Sequence, residues 1–508
     1  MKRILYFVFW VIFCTSCGNF LEEYSQDLVY AQSCEDLDEI LIGNGYMAQP
    51  TTPSYFSYGD KAFYYPYLHV MDDDIEEYLT GNANISSSIN PVTTLRNFYI
   101  WAKEPFMRIS GLTFRDYDWK RMYEHIGYLN VIISYVKEFH EDSEEMRHRI
   151  LGEAQFLRAG YYFMLVNLYA NPYSKETADA TMGVPLNLTE YIEEGYFSRD
   201  PVAAVYRQIV TDLENAIVNL SGIKQPTIYR VNEKAARALL SRVYLYMQDW
   251  ENAKSTAEKL LAQNGALLDY SSIAENTDGY AISEKSPELL FSQGPLNLQC
   301  EFSGSGGDFC VSNDLYKLYD ENDYRQTIYF TRSTQSDSLG LNRKYQMGKH
   351  RSYVSDIFTL RTAEGYLNAA EACAMLGDAG AASGWLNRLR GKRIKDYEDV
   401  VYTADEIIEQ VRVERRKELC LEGHRWLDLR RYAVCKKSPF KKIIERVYAL
   451  YDWDGRSVFK YAEVYQLNVD DPAYVFAIPK AVLEFDKDMP DNIREDREYV
   501  RLMYRNNE

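Results

Sequence analysis

Residues 147–170, RHRILGEAQFLRAGYYFMLVNLYA, place Ala154, Leu157, Tyr161, Met164 and Leu168 at spacings of 3, 4, 3 and 4. That period lays one apolar stripe along a helix, and a stripe of this kind needs a neighbour to bury it. The same reading extends in both directions. Trp119 to Phe139 carries Met122, Ile126, Leu129 and Ile133 at the same spacing. Further helices are expected from Val202 to Leu220, Glu233 to Met247, Glu251 to Ala262, Thr362 to Leu376 and Ala379 to Arg390. Asp249-Trp250 breaks one pattern and Gly377-Asp378 another. Helices joined by so few residues pack antiparallel. Small residues at the expected crossings (Ala236, Ala238, Ala369, Ala370, Ala372, Ala374) and the run Trp250-Glu251-Asn252-Ala253 resemble degenerate tetratricopeptide repeats, helical hairpins of about 34 residues.

Between these helices, 43–118, 171–199, 264–360 and 432–508 show no usable period. Ordinary loops longer than about 12–15 residues are uncommon and usually functional. A helical scaffold over about 119–263 and 361–431 therefore supports a loop-rich face built from 43–118, 264–360 and 432–508. With 508 residues the chain exceeds the size at which one core stops growing, so a repeat-built body or two domains is expected.

The N-terminus reads as a leader. Lys2 and Arg3 precede ten apolar residues, Ile4 to Phe13, and then Thr15-Ser16-Cys17. A basic region, a short apolar run and small residues make a secretory signal; spanning a bilayer takes about 20 residues. Cys17 after the small pair is similar to a bacterial lipobox, although Cys14 stands where Leu is usual. The expectation is a signal peptide over 1–16, acylation of Cys17 and a mature body from 17 to 508, tethered at its first residue.

The formal charge of −18 argues against nucleic acid, whose phosphates need Lys and Arg patches. Six cysteines beyond Cys17 lie scattered, without zinc-knuckle spacing; Cys300 and Cys310 could close a loop in an oxidising compartment. The histidines form no His-Glu-x-x-His, no phosphate loop follows Gly304-Ser305-Gly306-Gly307, and no Gly-x-Ser-x-Gly elbow is present. Neither a cofactor nor a metal is expected. Glu153, Arg158, Glu414, Arg415, Glu418 and Arg425 read as paired charges at helix crossings rather than a catalytic cluster.

The residues match a known family in seven ordered blocks. These are Asn19-Phe20-Leu21-Glu22; Trp119, Tyr123, Ile126 and Asn130; Glu153 to Ala159 with Tyr161-Tyr162-Phe163 and Gly183-Val184-Pro185-Leu186; Ala235 to Tyr246; Arg361, Glu364, Tyr366, Leu367 and Glu371-Ala372; Glu414 to Arg430; and Ala477-Ile478-Pro479 with Asp491-Asn492. The chain thereby resembles the SusD/RagB family of Bacteroidetes outer-membrane nutrient-binding lipoproteins. The resemblance implies a mainly α fold with four tetratricopeptide-like hairpins and an irregular ligand-binding half. It also implies a lipid anchor facing the cell exterior, an oligosaccharide or sometimes peptide ligand, a TonB-dependent β-barrel transporter as partner, and no enzymatic activity.

Two features stand out as ligand-binding candidates. The acidic run Asp72-Asp73-Asp74 with Glu76-Glu77 offers a sugar-binding carboxylate, a solvated turn or a calcium site. The aromatics are abundant, with 44 Tyr, 22 Phe and 7 Trp, and a flat ring with a polar tip suits sugar stacking. The candidates are Asp73, Tyr64, Tyr65, Tyr99, Trp101, Tyr319 and Trp453; Phe302, Phe309 and Tyr451 are weaker ones, and core packing is the competing role for every ring. Three other functions compete: binding of cationic peptides, a glycoside hydrolase using Asp73 and a distant carboxylate, and a purely structural adaptor.

Overall fold

Capping residues fix where the expected helices begin. In the computed structural model, which describes residues 31–48, 63–77, 91–107, 116–191, 197–298, 309–334, 337–346, 354–453 and 457–504, helix α1 spans Tyr117–Tyr135 and α2 spans Glu144–Tyr169. The Asp116 carboxylate accepts the N–H groups of Asp118 and Trp119, and Ser143 accepts that of Met146. Glu144 and Glu145 in the first turn of α2 favour the positive end of the helix dipole. This helix therefore starts at Glu144, three residues before the stretch 147–170 that carries its apolar stripe. Helix α1 ends earlier than expected, at Tyr135, in a turn.

Helices α3 (Val202–Asn219), α4 (Glu233–Tyr246) and α5 (Trp250–Gln263) follow, then α6 (Thr362–Leu376), α7 (Ala379–Arg390), α8 (Ile407–Leu419) and α9 (Arg425–Ala433). Trp250 is the first residue of α5 and not a break, because Asp249 caps the helix through the Asn252 N–H. Gly377 ends α6 at a φ of +90°, a conformation that costs little only without a Cβ.

Each helix packs on its predecessor from α1 to α5, then α5 packs on α6, and α6 on α7 and α8. The result is four successive helical pairs, mainly α and repeat-like. Small residues make the close approaches: a Cβ on Gly365 of α6 would stand 3.0 Å from a Leu260 methyl of α5. Ala236, Ala369, Ala370 and Ala372 are fully buried.

The charges of the sequence blocks tie this stack together. Arg158 of α2 grips Asp212 of α3 with two hydrogen bonds of 2.7 and 2.8 Å and donates a third to Asn130 of α1. Glu153 is bonded to Arg149, Arg230 and Tyr46. Deeper along the chain, Glu418 accepts from Arg325, Arg361 and Arg393, while Glu414 pairs with Arg325 and Arg390. Burial would raise the Glu418 pKa, but the three guanidinium groups outweigh it and hold the carboxyl well below its usual range.

The long stretches without helical period carry short antiparallel strands. β1 (Ile75–Glu77) pairs with β3 (Phe309–Val311) in the register Ile75↔Val311. β2 (Leu289–Ser292) pairs with β6 (Thr359–Arg361), and β4 (Phe330–Arg332) with β5 (Leu339–Leu341). The C-terminal stretch is not irregular: β7 (Ile444–Trp453) and β8 (Ser457–Leu467) form a ribbon with Ile444↔Leu467, and β9 (Arg501–Met503) adds to β8.

Candidate functional site

The acidic run ends a short 3-10 turn, His69–Met71, and leads into β1. Asp73 and Asp74 are turned toward α8 and α9. Arg425 holds Asp73 through Nε and Nη2, at 2.6 and 2.9 Å, and Lys442 adds a bond of 2.6 Å. Arg416 bonds Asp74 at 2.7 Å and the Asp73 carbonyl at 2.9 Å. Burial favours the neutral form of Asp73, but Arg425 and Arg416 prevail and keep its pKa well below normal. Asp72 behaves oppositely: burial, then the charges of Asp74 and Asp73, push its pKa well up.

Carboxylate oxygens of Asp72, Asp73 and Asp74 lie within 4.8 Å of one another, close enough to suggest a cation. The surroundings do not fit one. Both oxygens of Asp73 and one of Asp74 are already engaged by Arg425, Lys442 and Arg416, so a divalent ion would have to compete with three fixed cations.

Beyond this knot opens a cleft of about 580 Å³, walled by β1, β3, the start of β5 and the first half of β7. Its polar lining includes Asp73, Glu76, Glu77, Asn313, Lys442 and Arg446, and the largely buried Tyr99 borders it. Ser312 is fixed by bonds to the carbonyls and backbone around Asp73 and Asp74. Asn313 donates to Glu76 at 3.0 Å across the β1–β3 pair. Arg446 donates to the Ile75 and Val70 carbonyls and lies 4.7 Å from the Tyr99 ring centre. The Tyr99 hydroxyl receives the Glu77 N–H at 3.0 Å and donates to the Val447 carbonyl at 3.2 Å.

Glu77 is the unusual group in this wall. Burial lifts its pKa to about 8, against the opposing influence of the Ala449 N–H, which it accepts at 2.9 Å, and of Arg96. A carboxyl that keeps its proton at neutral pH donates a hydrogen bond as well as accepting one. Burial also raises the pKa of Glu76. The cleft thus presents donors and acceptors of both kinds at fixed positions, and it can bind a hydroxyl-rich or amide-rich ligand. Asp73 is poorly placed as a nucleophile, because its lone pairs are committed to cations.

Of the residues singled out from the sequence, Asp73 and Tyr99 line this cleft. Four rings do not offer an open face. Trp101 is 1% exposed, with its indole N–H donated to the Met71 carbonyl at 2.8 Å. Tyr65 is fully buried against Tyr67 and Phe358. Tyr64 lies beneath the Arg121 guanidinium, 3.8 Å from its carbon, and bonds His125. Tyr319 donates to the Lys417 carbonyl at 2.7 Å and packs on Phe330. The expected stacking platform at these four positions is corrected to core: the rings fill space, while Trp101 and Tyr319 donate to backbone carbonyls and Tyr64 bonds His125. The Trp453 side chain, Phe302, Cys17 and Cys300 lie outside what is described; Cys310 is a buried free thiol whose pKa burial lifts to about 12.

Sequence reasoning missed Asn313, Lys442 and Arg446 as cleft residues, and Glu77 as more than part of a charge run. The signal available for Glu77 was its place two residues beyond Ile75 in a three-residue strand.

Two family models match the chain: one described as starch-binding associating with outer membrane, over residues 72–245, and one described as the SusD family, over 340–493. The SusD-like protein P25 of Formosa agariphila is 25% identical over 270 residues, which is 52% of this chain and 46% of that protein, so the match spans about half of that relative's length. A SusD-like carbohydrate binding protein from Bacteroides vulgatus superposes with a TM-score of 0.67 at 21% identity, covering 92% of this chain and 100% of its own. The surface glycan-binding protein A of Bacteroides uniformis gives 0.64 at 18% identity, covering 91% and 100%. These superpositions establish a common fold.

Proposed function

Because the chain belongs to the SusD/RagB family, we propose that it is a surface-exposed outer-membrane lipoprotein that binds oligosaccharide and delivers it to a TonB-dependent β-barrel transporter. The observation that carries this reading is the cleft between β1, β3 and β7, lined by Glu76, Glu77, Asn313 and Lys442 with the largely buried Tyr99 at its wall. Sugars present many hydroxyls that each donate and accept, and a wall mixing carboxyl, amide and ammonium groups satisfies both directions. The names of the structural relatives, carbohydrate binding and glycan-binding, support the ligand class. Acylation of Cys17 would hold the body at the membrane, and among the described residues no helix is long and apolar enough to cross one. Ligand is bound without covalent change, in keeping with the ion-paired state of Asp73. A glycan array probed with the soluble chain from residue 18 tests the proposal: retention of a defined set of oligosaccharides supports it, and a blank array refutes it.

One observation favours a second reading, capture of cationic peptides. The cleft lining carries Asp73, Glu76, Glu77, Asp314, Asp337 and Glu445 against Lys442 and Arg446. Peptide binding of that kind weakens steeply with salt, whereas neutral glycan binding does not.

A further inference from the structure

On the other side of the Asp73 knot, a smaller cavity of about 110 Å³ is lined by Arg412 and Arg416 of α8, Arg425 of α9, Glu409, Val413, Leu318, Tyr432 and Phe440. A water needs only about 10–15 Å³ of such space, so the cavity admits a small polyatomic ligand. Three arginine side chains line it in a molecule whose formal charge is −18. Two of them are partly committed to the acidic run: Arg425 meets the Asp73 carboxylate through Nε and Nη2, and Arg416 meets the Asp74 carboxylate through Nε and the Asp73 carbonyl through Nη2. The third is the telling one. Arg412 is 94% buried, given its 6% exposure, and its Nη atoms reach Ser438, yet its buried Nε has no hydrogen-bond partner among the described residues. Tyr432 stacks beneath it, 4.4 Å from its carbon, and holds the plane of the fork.

A buried charged donor without an acceptor costs a large part of its desolvation energy. A planar fork of this kind is matched by the oxygens of a carboxylate or a phosphate. We propose that this cavity is a binding site for a small oxyanion group, held by Arg412 with Arg416 and Arg425, and separate from the ligand cleft. Glu409, the exposed acid at its rim, opposes the ligand's charge and sets a ceiling on affinity. The proposal does not depend on the glycan reading.

Isothermal titration of the soluble full-length chain with sodium acetate and, separately, inorganic phosphate, both in chloride buffer of constant ionic strength, tests it. The expected result is one saturable site for at least one of the two anions, which also tells a carboxylate from a phosphate source. Arg412→Gln should weaken that binding at least about tenfold, the size of one lost charge-assisted bond. Glu409→Gln, at an exposed position that leaves the fold intact, should tighten it roughly threefold. No saturable heat for either anion, or binding that neither substitution moves, overturns the proposal; if Arg412→Gln fails to fold, the Glu409→Gln result decides alone.

Discussion

Arg425 holds both carboxylate oxygens of Asp73 across 352 positions of sequence. This contact joins the acidic run before β1 to helix α9, and it places the wall of the cleft on the rigid end of the helical stack. Asp73 is therefore an anchor of the site as much as a surface of it. Its neighbours Arg416 and Lys442 reach the same carboxylate, at 3.3 and 2.6 Å.

Removing that anchor leaves buried cations without a partner. Asp73→Ala is expected to cost about 3–5 kcal/mol of unfolding free energy, the usual price of breaking a buried pair. Urea unfolding at pH 7 measures it. A loss within experimental error would show that Arg425 and Arg416 find other acceptors.

Trp101 makes a contrasting prediction. Its ring is enclosed, its indole donates to Met71, and its backbone holds a φ of +56°. Trp101→Ala should lower stability by about 3–5 kcal/mol through the cavity it leaves, while the folded fraction keeps its ligand affinity. Denaturation and titration on the same preparation separate the two effects. A variant of unchanged stability and lost binding would return Trp101 to the site.

Glu77 makes stability depend on pH with a definite sign. Its pKa is about 8 in the folded chain and near the ordinary 4.5 in the unfolded one. Between those values the folded state carries a proton that the unfolded state has lost, so stability falls as pH rises through that window and levels off above 8. The slope is at most about 1.4 kcal/mol per pH unit from this group. Asp116, lifted to about 7 mainly by burial and then by Asp118, adds the same sign over a lower window. Thermal unfolding between pH 5 and 9 should show a shallower decline for Glu77→Gln than for the parent, and identical slopes would refute the assignment.

Much of the scaffold was legible because helical period is a local property. The stripe from Ala154 to Leu168 required a helix wherever its neighbour lay, and the charges at Glu153 and Arg158 announced a pairing. Their partners were not legible: Asp212 and Arg230 come from other segments, and no spacing within 147–170 points to them. The β7–β8 ribbon was missed for a physical reason. Ile444, Arg446 and Tyr448 alternate inward, but Arg446 is charged, so it masks the two-residue period that would have revealed the strand. It is tolerated there because Ile75 and Val70 supply carbonyls and Tyr99 a ring face. Asp454-Gly455, between two β-rich runs, was the hairpin signal in the sequence itself.

The aromatic count misled in the opposite direction. The amphipathic rings of Tyr64, Tyr65 and Tyr319 suit a surface, yet all three are buried, and the polar tips of Tyr64 and Tyr319 bond His125 and the Lys417 carbonyl within the core. Tyr99 belongs to both classes, buried at 1% exposure and still bordering the cleft. The acidic run shows how chemistry can be read while geometry cannot: Asp73 and Glu77 lie four residues apart, one held ionised by cations and the other kept protonated by burial.

The most direct test is calorimetric titration of the soluble chain with a panel of neutral oligosaccharides, repeated for Asn313→Ala, whose side chain lines the cleft and donates to Glu76 on the same wall. We predict saturable binding of at least one neutral oligosaccharide, little affected by salt and weakened roughly five- to tenfold by the substitution, in line with the loss of one hydrogen bond of about 1 kcal/mol. No binding anywhere in the panel, binding that Asn313→Ala leaves untouched, or release of shortened sugars during the titration would contradict it.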